Sequence, residues 1–310
     1  MALFVVTGGA GFIGSHLSEA LIARGDTVRV VDSLITGHKK NVREGAEFVQ
    51  GDLADLDFTK RAIAGADYVL HQAAIPSVPR SVADPVTSNR ANIDATLNVL
   101  VAARDSKVKR LVYAASSSAY GNAAALPKRE DMGTDPLSPY ALQKLVGEQY
   151  LKQFTRLYGL ETVSIRYFNV FGPRQDPGSP YSGVISLFIT HLLAGKGPKI
   201  YGDGGQTRDF TYVGNVVDGV LKATVAPGAS GEVINVATGG RISLNELFTT
   251  LRDIIGAKVE PEYLPERAGD VRDSQADIGK AKRILGYSPV IPFDEGLRRT
   301  VDWYRTARPA

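Results

Sequence analysis

The chain has 310 residues, 44% hydrophobic and 22% charged, ordinary for a globular protein and long enough for one large or two modest domains. Its 36 Lys and Arg against 33 Asp and Glu leave a net charge of +3 with no basic block, so bulk charge gives no case for nucleic acid. Cysteine is absent, which excludes disulfides, thiol nucleophiles and zinc–thiolate sites. The four histidines, His16, His38, His71 and His191, lack ligand spacing, so no metal is expected.

The sequence opens on ALFVVTGG, a short apolar run that meets glycines at once. It is too short for a membrane span or a signal segment, and a cytoplasmic protein is the expectation. The pattern then predicts a helix from about Gly11 to Arg24, followed by strands in TVRVVD and AEFVQGD. ADYVLHQAA reads as a fourth strand, followed by a helix from about Pro85 to Asp105 and the strand VKRLVYAASS. Pro139 suits the first turn of a helix, where its missing N–H costs nothing, and Ser138 is placed to cap it. That helix runs to about Tyr158, and ETVSIRYFNV closes the series. Apolar strands alternating with helices predict an α/β fold, a doubly wound parallel sheet covered on both faces. Ligands of such sheets bind beyond the carboxyl ends of the strands. After residue 168 the pattern loosens into Gly/Pro-rich loops and shorter helices, although GEVINVA reads as one more strand. The expected division is a first domain over 1–168 and a smaller C-terminal substrate domain over 169–310, with about 208–238 returning to the first.

TGGAGFIG places Gly8, Gly11 and Gly14 between the first strand and first helix. Glycines there let the backbone approach a pyrophosphate, which then lies on the helix N-terminus. Asp32, at the end of the second strand, supplies the carboxylate that accepts from ribose hydroxyls and repels a 2′-phosphate, so NAD is expected over NADP. Asp52 ends the third strand, where it can meet the adenine. Gln72, Ala73 and Ala74 end the fourth, beside the pyrophosphate, and His71 reads as structural. Tyr140 and Lys144, four apart after Pro139, share one helix face. That spacing alone also suits a plain amphipathic helix.

Taken with ASSSAYG, YFNVFGPRQDP, YGDGGQTRDFTYV and RAGD, in that order, these motifs cover nearly the whole chain. The sequence resembles the extended short-chain dehydrogenases/reductases, and within them the NAD-dependent nucleotide-sugar epimerases. The resemblance implies a Rossmann domain holding NAD, a small nucleotide-sugar domain, and a homodimer formed through two helices. It makes Tyr140 the acid/base, with Lys144 tuning the phenol and holding the nicotinamide ribose. A free tyrosine has a pKa of about 10, and a nearby ammonium favours the phenolate. Ser116 or Ser117 bonds the same sugar hydroxyl; counting back from Tyr120 favours Ser116. Further cofactor contacts are implied for Phe12, Ile13, Leu53, Asn92 and Phe168. Arg208 and Arg267 match the diphosphate-binding positions, Asp270 the ribose acceptor, and Asn169 a residue near the first phosphate. Val184 and Tyr201 complete the substrate positions. Arg80 either contacts the sugar or orders its loop.

The branches of the family differ at a few positions. Sugar 4,6-dehydratases carry an Asp-Glu pair after the strand-end hydroxyl, and SSSAY has no acid there. Uronate-handling relatives often place a basic residue after PRQ, where this chain has Asp176. In the family, the position four after the Asp of RxGD borders the sugar's C2 substituent; here it is Ser274, four positions after Asp270, small enough to leave room for an acetamido group. The expected activity is therefore UDP-sugar 4-epimerisation, of UDP-GlcNAc/UDP-GalNAc and of UDP-Glc/UDP-Gal, through a 4-keto intermediate. Alternatives are a UDP-glucuronate 4-epimerase, another NAD-dependent enzyme acting on nucleotide sugars, and an NAD-sensing regulator; such sensors tend to lose the Tyr/Lys pair kept here.

Overall fold

Strands β1 (Leu3–Thr7), β2 (Thr27–Asp32), β3 (Ala46–Gln50), β4 (Tyr68–His71), β5 (Arg110–Ser116) and β6 (Thr162–Tyr167) pair in parallel in a computed structural model that describes residues 1–176, 183–266 and 272–307. A later strand, β11 (Val233–Val236), pairs with β6, and the sheet order is β11-β6-β5-β4-β1-β2-β3. The order reverses between β1 and β4, the switch point at which a doubly wound sheet opens a crevice. This is a Rossmann-type sheet, and its central strands are apolar runs because both faces are covered.

One face is covered by α1 (Phe12–Ala23), α8 (Val213–Val225) and α10 (Gly279–Leu285), packed over residues such as Val6, Leu70 and Ile165. The other carries α2 (Leu56–Ile63), α5 (Ala95–Asp105) and α6 (Pro139–Tyr158), packed over Val5, Val69 and Leu111. The helix expected from Pro85 to Asp105 forms as α4 (Pro85–Asn89), a π-helical turn over Arg90–Asp94, and α5. α6 starts at Pro139 as expected, and Ser138 Oγ accepts from the Ala141 amide at 3.2 Å. Two short helices fall outside the sequence expectations, α2 and α3 (Val78–Ala83), each opened by a side-chain cap, Asp55 on Phe58 and Ser77 on Arg80.

A third apolar cluster sits beside the sheet. It is built from α7 (Val184–Leu193), α9 (Leu244–Ile255) and α11 (Phe293–Ala307), with Phe171, Phe210 and Tyr212 between them. Three two-stranded pairings frame it: β7 (Val170–Phe171) with β10 (Thr211–Tyr212), β8 (Lys199–Tyr201) with β13 (Glu262–Leu264), and β9 (Thr207–Arg208) with β12 (Ile242–Ser243). Asp209 joins this layer to the sheet. Its fully buried carboxylate accepts from the amides of Thr238, Gly239 and Ala276 at 2.9–3.1 Å and from Thr238 Oγ1 at 2.6 Å. Among the described residues no helix is long and apolar enough to cross a membrane.

Candidate active site

A cavity of about 1160 Å³ opens along the carboxyl ends of the strands, lined from both layers. A single small-molecule ligand typically occupies roughly 300–1,000 Å³, so this space accommodates two ligands side by side.

At one end, the turn from β1 into α1 is packed to its limit. Gly8 has φ +67°, and a Cβ there would lie 2.7 Å from the Ala73 amide nitrogen; a Cβ on Gly14 would lie 2.3 Å from the Gly8 carbonyl oxygen. Both obstacles are backbone, so no side chain is tolerated at either position. α1 begins at Gly11 with no side-chain cap and no acidic residue in its first turn, so its dipole and uncapped amides face the cavity at Phe12 and Ile13. Above them Tyr167 donates to Gln72 Oε1 at 2.9 Å. The Gln72 Nε2 atom is buried and unpartnered among the described residues. A helix N-terminus with an unmatched amide donor fits an anion such as a pyrophosphate. Asp32 lies at the end of β2, its Oδ2 accepting from the Ala10 amide (3.0 Å) and its Oδ1 from Leu34 (2.8 Å), still on the cavity wall. Asp52 and Leu53 extend the same wall. These residues fit a dinucleotide whose ribose meets a carboxylate.

The middle of the cavity is framed by β5 and α6. Lys144 is almost fully buried, its Nζ donating to the Ala114 carbonyl at 2.7 Å and standing 4.9 Å from the centre of the Tyr113 ring. One turn further along α6, Glu148 forms a buried bidentate pair with Arg166 of β6 (2.7 and 2.8 Å). Desolvation pulls the Lys144 pKa down to about 7, against the opposing pull of Glu148. Tyr140 is docked by its amide, which donates to Ser81 Oγ at 3.0 Å. Its side chain as a whole is half-buried, but desolvation at the hydroxyl pushes its pKa up to about 12, and a hydrogen bond with Ser116 pulls part of the way back. The sequence suggested a phenol drawn down by its lysine and by a positive nicotinamide together; with protein groups alone, burial raises it and only the Ser116 hydrogen bond opposes that. Ser116 Oγ also accepts from the Ser118 amide (3.1 Å) and hydroxyl (2.8 Å), while Ser117 lines the cavity beside it.

At the far end, Arg80, Phe168, Asn169, Arg208 and Ser274 line the wall. Arg208 donates to the Thr207 and Arg272 carbonyls (2.9 and 2.8 Å), and the Ser274 amide donates to Thr207 at 3.1 Å. Three expected contacts lie off the wall. Asn92 is spent inside the protein, holding Ile75 at both its amide and carbonyl and donating to Gln143 Oε1 at 2.8 Å. It therefore shapes the wall through Ile75. Val184 begins α7 and packs into the third apolar cluster, and Tyr201 lies in β8, away from the cavity lining. Arg267 and Asp270 fall outside the described residues. His71 is structural: its two ring nitrogens meet Thr7 Oγ1 (2.7 Å) and Thr96 Oγ1 (3.0 Å).

Sequence reading passed over two parts of the wall. One is the loop after Asp32, where Gly37 leaves space for the Asp32 carboxylate and His38 reaches Asp176 at 3.2 Å. The small residues following the strand-end Asp were the available signal. The other is Lys128, a charged residue in a loop, which carries no signal of burial in sequence.

Residues 4–237 match the NAD dependent epimerase/dehydratase family. The UDP-glucose 4-epimerase of Mycolicibacterium smegmatis is 41% identical over 308 residues, covering 97% of this chain and 98% of that protein. Among solved structures, the UDP-glucose 4-epimerase of Thermotoga maritima with UDP-glucose is 39% identical, with a TM-score of 0.95 over 98% of this chain and 99% of that one. The UDP-N-acetylglucosamine 4-epimerase of Methanobrevibacter ruminantium in complex with UDP-N-acetylmuramic acid is 41% identical, with a TM-score of 0.95 over 99% of both chains.

Proposed function

The chain belongs to the NAD-dependent epimerase/dehydratase family, and from that premise we propose that it inverts C4 of UDP-sugars, interconverting UDP-GlcNAc with UDP-GalNAc and UDP-glucose with UDP-galactose. The observation that carries the reading is one continuous cavity running from the glycine turn past Tyr140 and Ser116 to Arg208 and Ser274. It gives a dinucleotide and a nucleotide sugar a common meeting point at the phenol.

The glycine turn, the start of α1, Gln72 and Asp32 would hold the NAD on which the family depends. The chemistry a bound NAD supplies is reversible hydride transfer at C4, beside a positively charged ring, which passes the sugar through a 4-keto form and consumes no cofactor. Tyr140 takes the proton of the C4 hydroxyl on the outward step and returns it on the way back. Ser116, which lowers the pKa of that phenol, orients the same hydroxyl, with Ser117 as its neighbour. Lys144, held near neutrality in its pKa, is poised to carry the charge that favours the phenolate. Arg208 faces the diphosphate, and Arg267 and Asp270 are proposed to complete that grip, since Arg matches phosphate geometry.

Ser274 supports the N-acetyl part of the reading, because a small half-buried residue on the wall leaves space at C2. The experiment is a panel of UDP-GlcNAc, UDP-Glc and UDP-GlcA run on the wild type and on Ser274→Tyr, with products resolved by stereochemistry. The expected result is turnover of the first two by the wild type. The tyrosine variant should lower the UDP-GlcNAc to UDP-Glc activity ratio at least ~10-fold, by a clash confined to C2. Inactivity of the wild type on UDP-GlcNAc, or an unchanged ratio in the variant, contradicts the reading.

A further inference from the structure

Lys128 lies in the segment that leads from the 3-10 turn after β5 (Ser117–Tyr120) towards α6. Its backbone is stitched to the C-terminal layer. The amide donates to the Gln275 carbonyl at 2.8 Å, and its carbonyl accepts from the Asp277 amide and Asn235 Nδ2, each at 2.9 Å. Gln275 follows Ser274 directly, so these bonds fix the Lys128 backbone next to the segment that carries Ser274 on the cavity wall. The side chain lines the same cavity yet is only 4% exposed. Its ammonium donates to the Ala123 carbonyl, and among the described residues no carboxylate lies within ion-pair distance. Two other buried cations are matched by carboxylates, Arg166 by Glu148 and Arg110 by Glu161, whereas Lys144, on the same cavity, donates to the Ala114 carbonyl.

An ammonium held at a cavity wall without a counter-charge loses hydration that nothing fully replaces, and that cost lowers the Lys128 pKa. A methionine of similar volume would fill the space without that cost. A lysine is favoured there when a ligand brings an oxygen acceptor into the cavity. Ring hydroxyls are weaker acceptors than carbonyl-type oxygens, and charge-assisted bonds to the latter are the strong ones.

We propose that Lys128 binds the substrate, donating to a carbonyl-type oxygen carried by the sugar ring, an acetamido or a carboxylate group, and so selects sugars that bear one. This rests on the cavity being a UDP-sugar site. It adds a positive contact to the space left by Ser274. Asp176 on the same wall disfavours a carboxylate, which points first to the acetamido group.

The test compares kcat/KM of the wild type and Lys128→Met on UDP-GlcNAc, UDP-GlcA and UDP-Glc. A charge-assisted bond is worth about 1.5–3 kcal/mol, so its loss shifts selectivity by roughly 10- to 150-fold. The expected result is a fall on UDP-GlcNAc at least ~10-fold greater than on UDP-Glc. The same selective fall on UDP-GlcA would identify the carboxylate as the bound group and equally support the contact. Equal losses on every accepted sugar would show that Lys128 only braces its loop, and no loss on any would show that it touches nothing; either overturns the proposal. Should Lys128→Met fail to fold, Lys128→Gln is read in the same way. A wild type that inverts none of the three sugars would overturn the function itself, an outcome distinct from a variant whose selectivity is unchanged.

Discussion

Tyr140 and Lys144 show how little of a residue's chemistry lies in its spacing. The sequence places phenol and ammonium on one face of α6, and the structure gives both to the same cavity. Depth is what spacing does not encode. Burial moves the phenol to about 12 and the ammonium to about 7, so each is pushed towards its neutral form. In the proposed role the phenol would therefore act as a base only when positive charge is added beside it. We expect Tyr140→Phe to retain NAD while losing at least ~10²-fold in turnover, the scale of removing an acid/base. Cofactor retention read by absorbance, alongside the rate of UDP-glucose inversion, checks this. A phenylalanine variant with near wild-type turnover would remove Tyr140 from the reaction.

Elements are tied together at the strand ends by side chains that do no chemistry. His71 of β4 is clamped between Thr7 of β1 and Thr96 of α5, with 1% of its surface exposed. Desolvation, helped by Lys144, holds its pKa down at about 3, against about 6.5 for a free imidazole. Between those values the unfolded chain carries a proton that the folded one refuses, so stability is present above pH 6.5 and is lost as pH falls towards 3. By pH 4 the loss from His71 reaches on the order of 3 kcal/mol. His16, half-buried against Arg174 and held at about 4, adds to it in the same window. Thermal melting of wild type and His71→Gln from pH 7 to pH 4 should show a shallower decline in the variant; parallel curves would contradict a buried neutral imidazole.

Most elements of the sheet were legible because buried parallel strands are unbroken apolar runs and their helices carry local stop and start signals, as at Ser138-Pro139. α2 and α3 were not, being short and signalled mainly by one capping residue each. That the glycine turn, Asp32 and Tyr140 share one cavity was legible because the motifs that carry them fall at the ends of the predicted strands. The internal bonds of Asn92 to Ile75 and Gln143 could not be read in advance, since nothing in a sequence distinguishes an amide facing a ligand from one that holds a neighbouring carbonyl.

At the scale of the whole molecule, the two layers meet along one cavity, and Asp209 and Lys128 bind them together around it. In the proposed reaction a sugar entering from the C-terminal side and a dinucleotide lying along the strand ends would converge on Tyr140. The central claim is that C4 is inverted in that cavity, by hydride that leaves and returns without exchanging with water. The most direct measurement uses UDP-GlcNAc deuterated at C4 and follows the products by NMR. The account predicts UDP-GalNAc that keeps the deuterium at C4, with no net change in the cofactor's oxidation state. Deuterium lost to solvent, or a product with C4 unchanged, would contradict it.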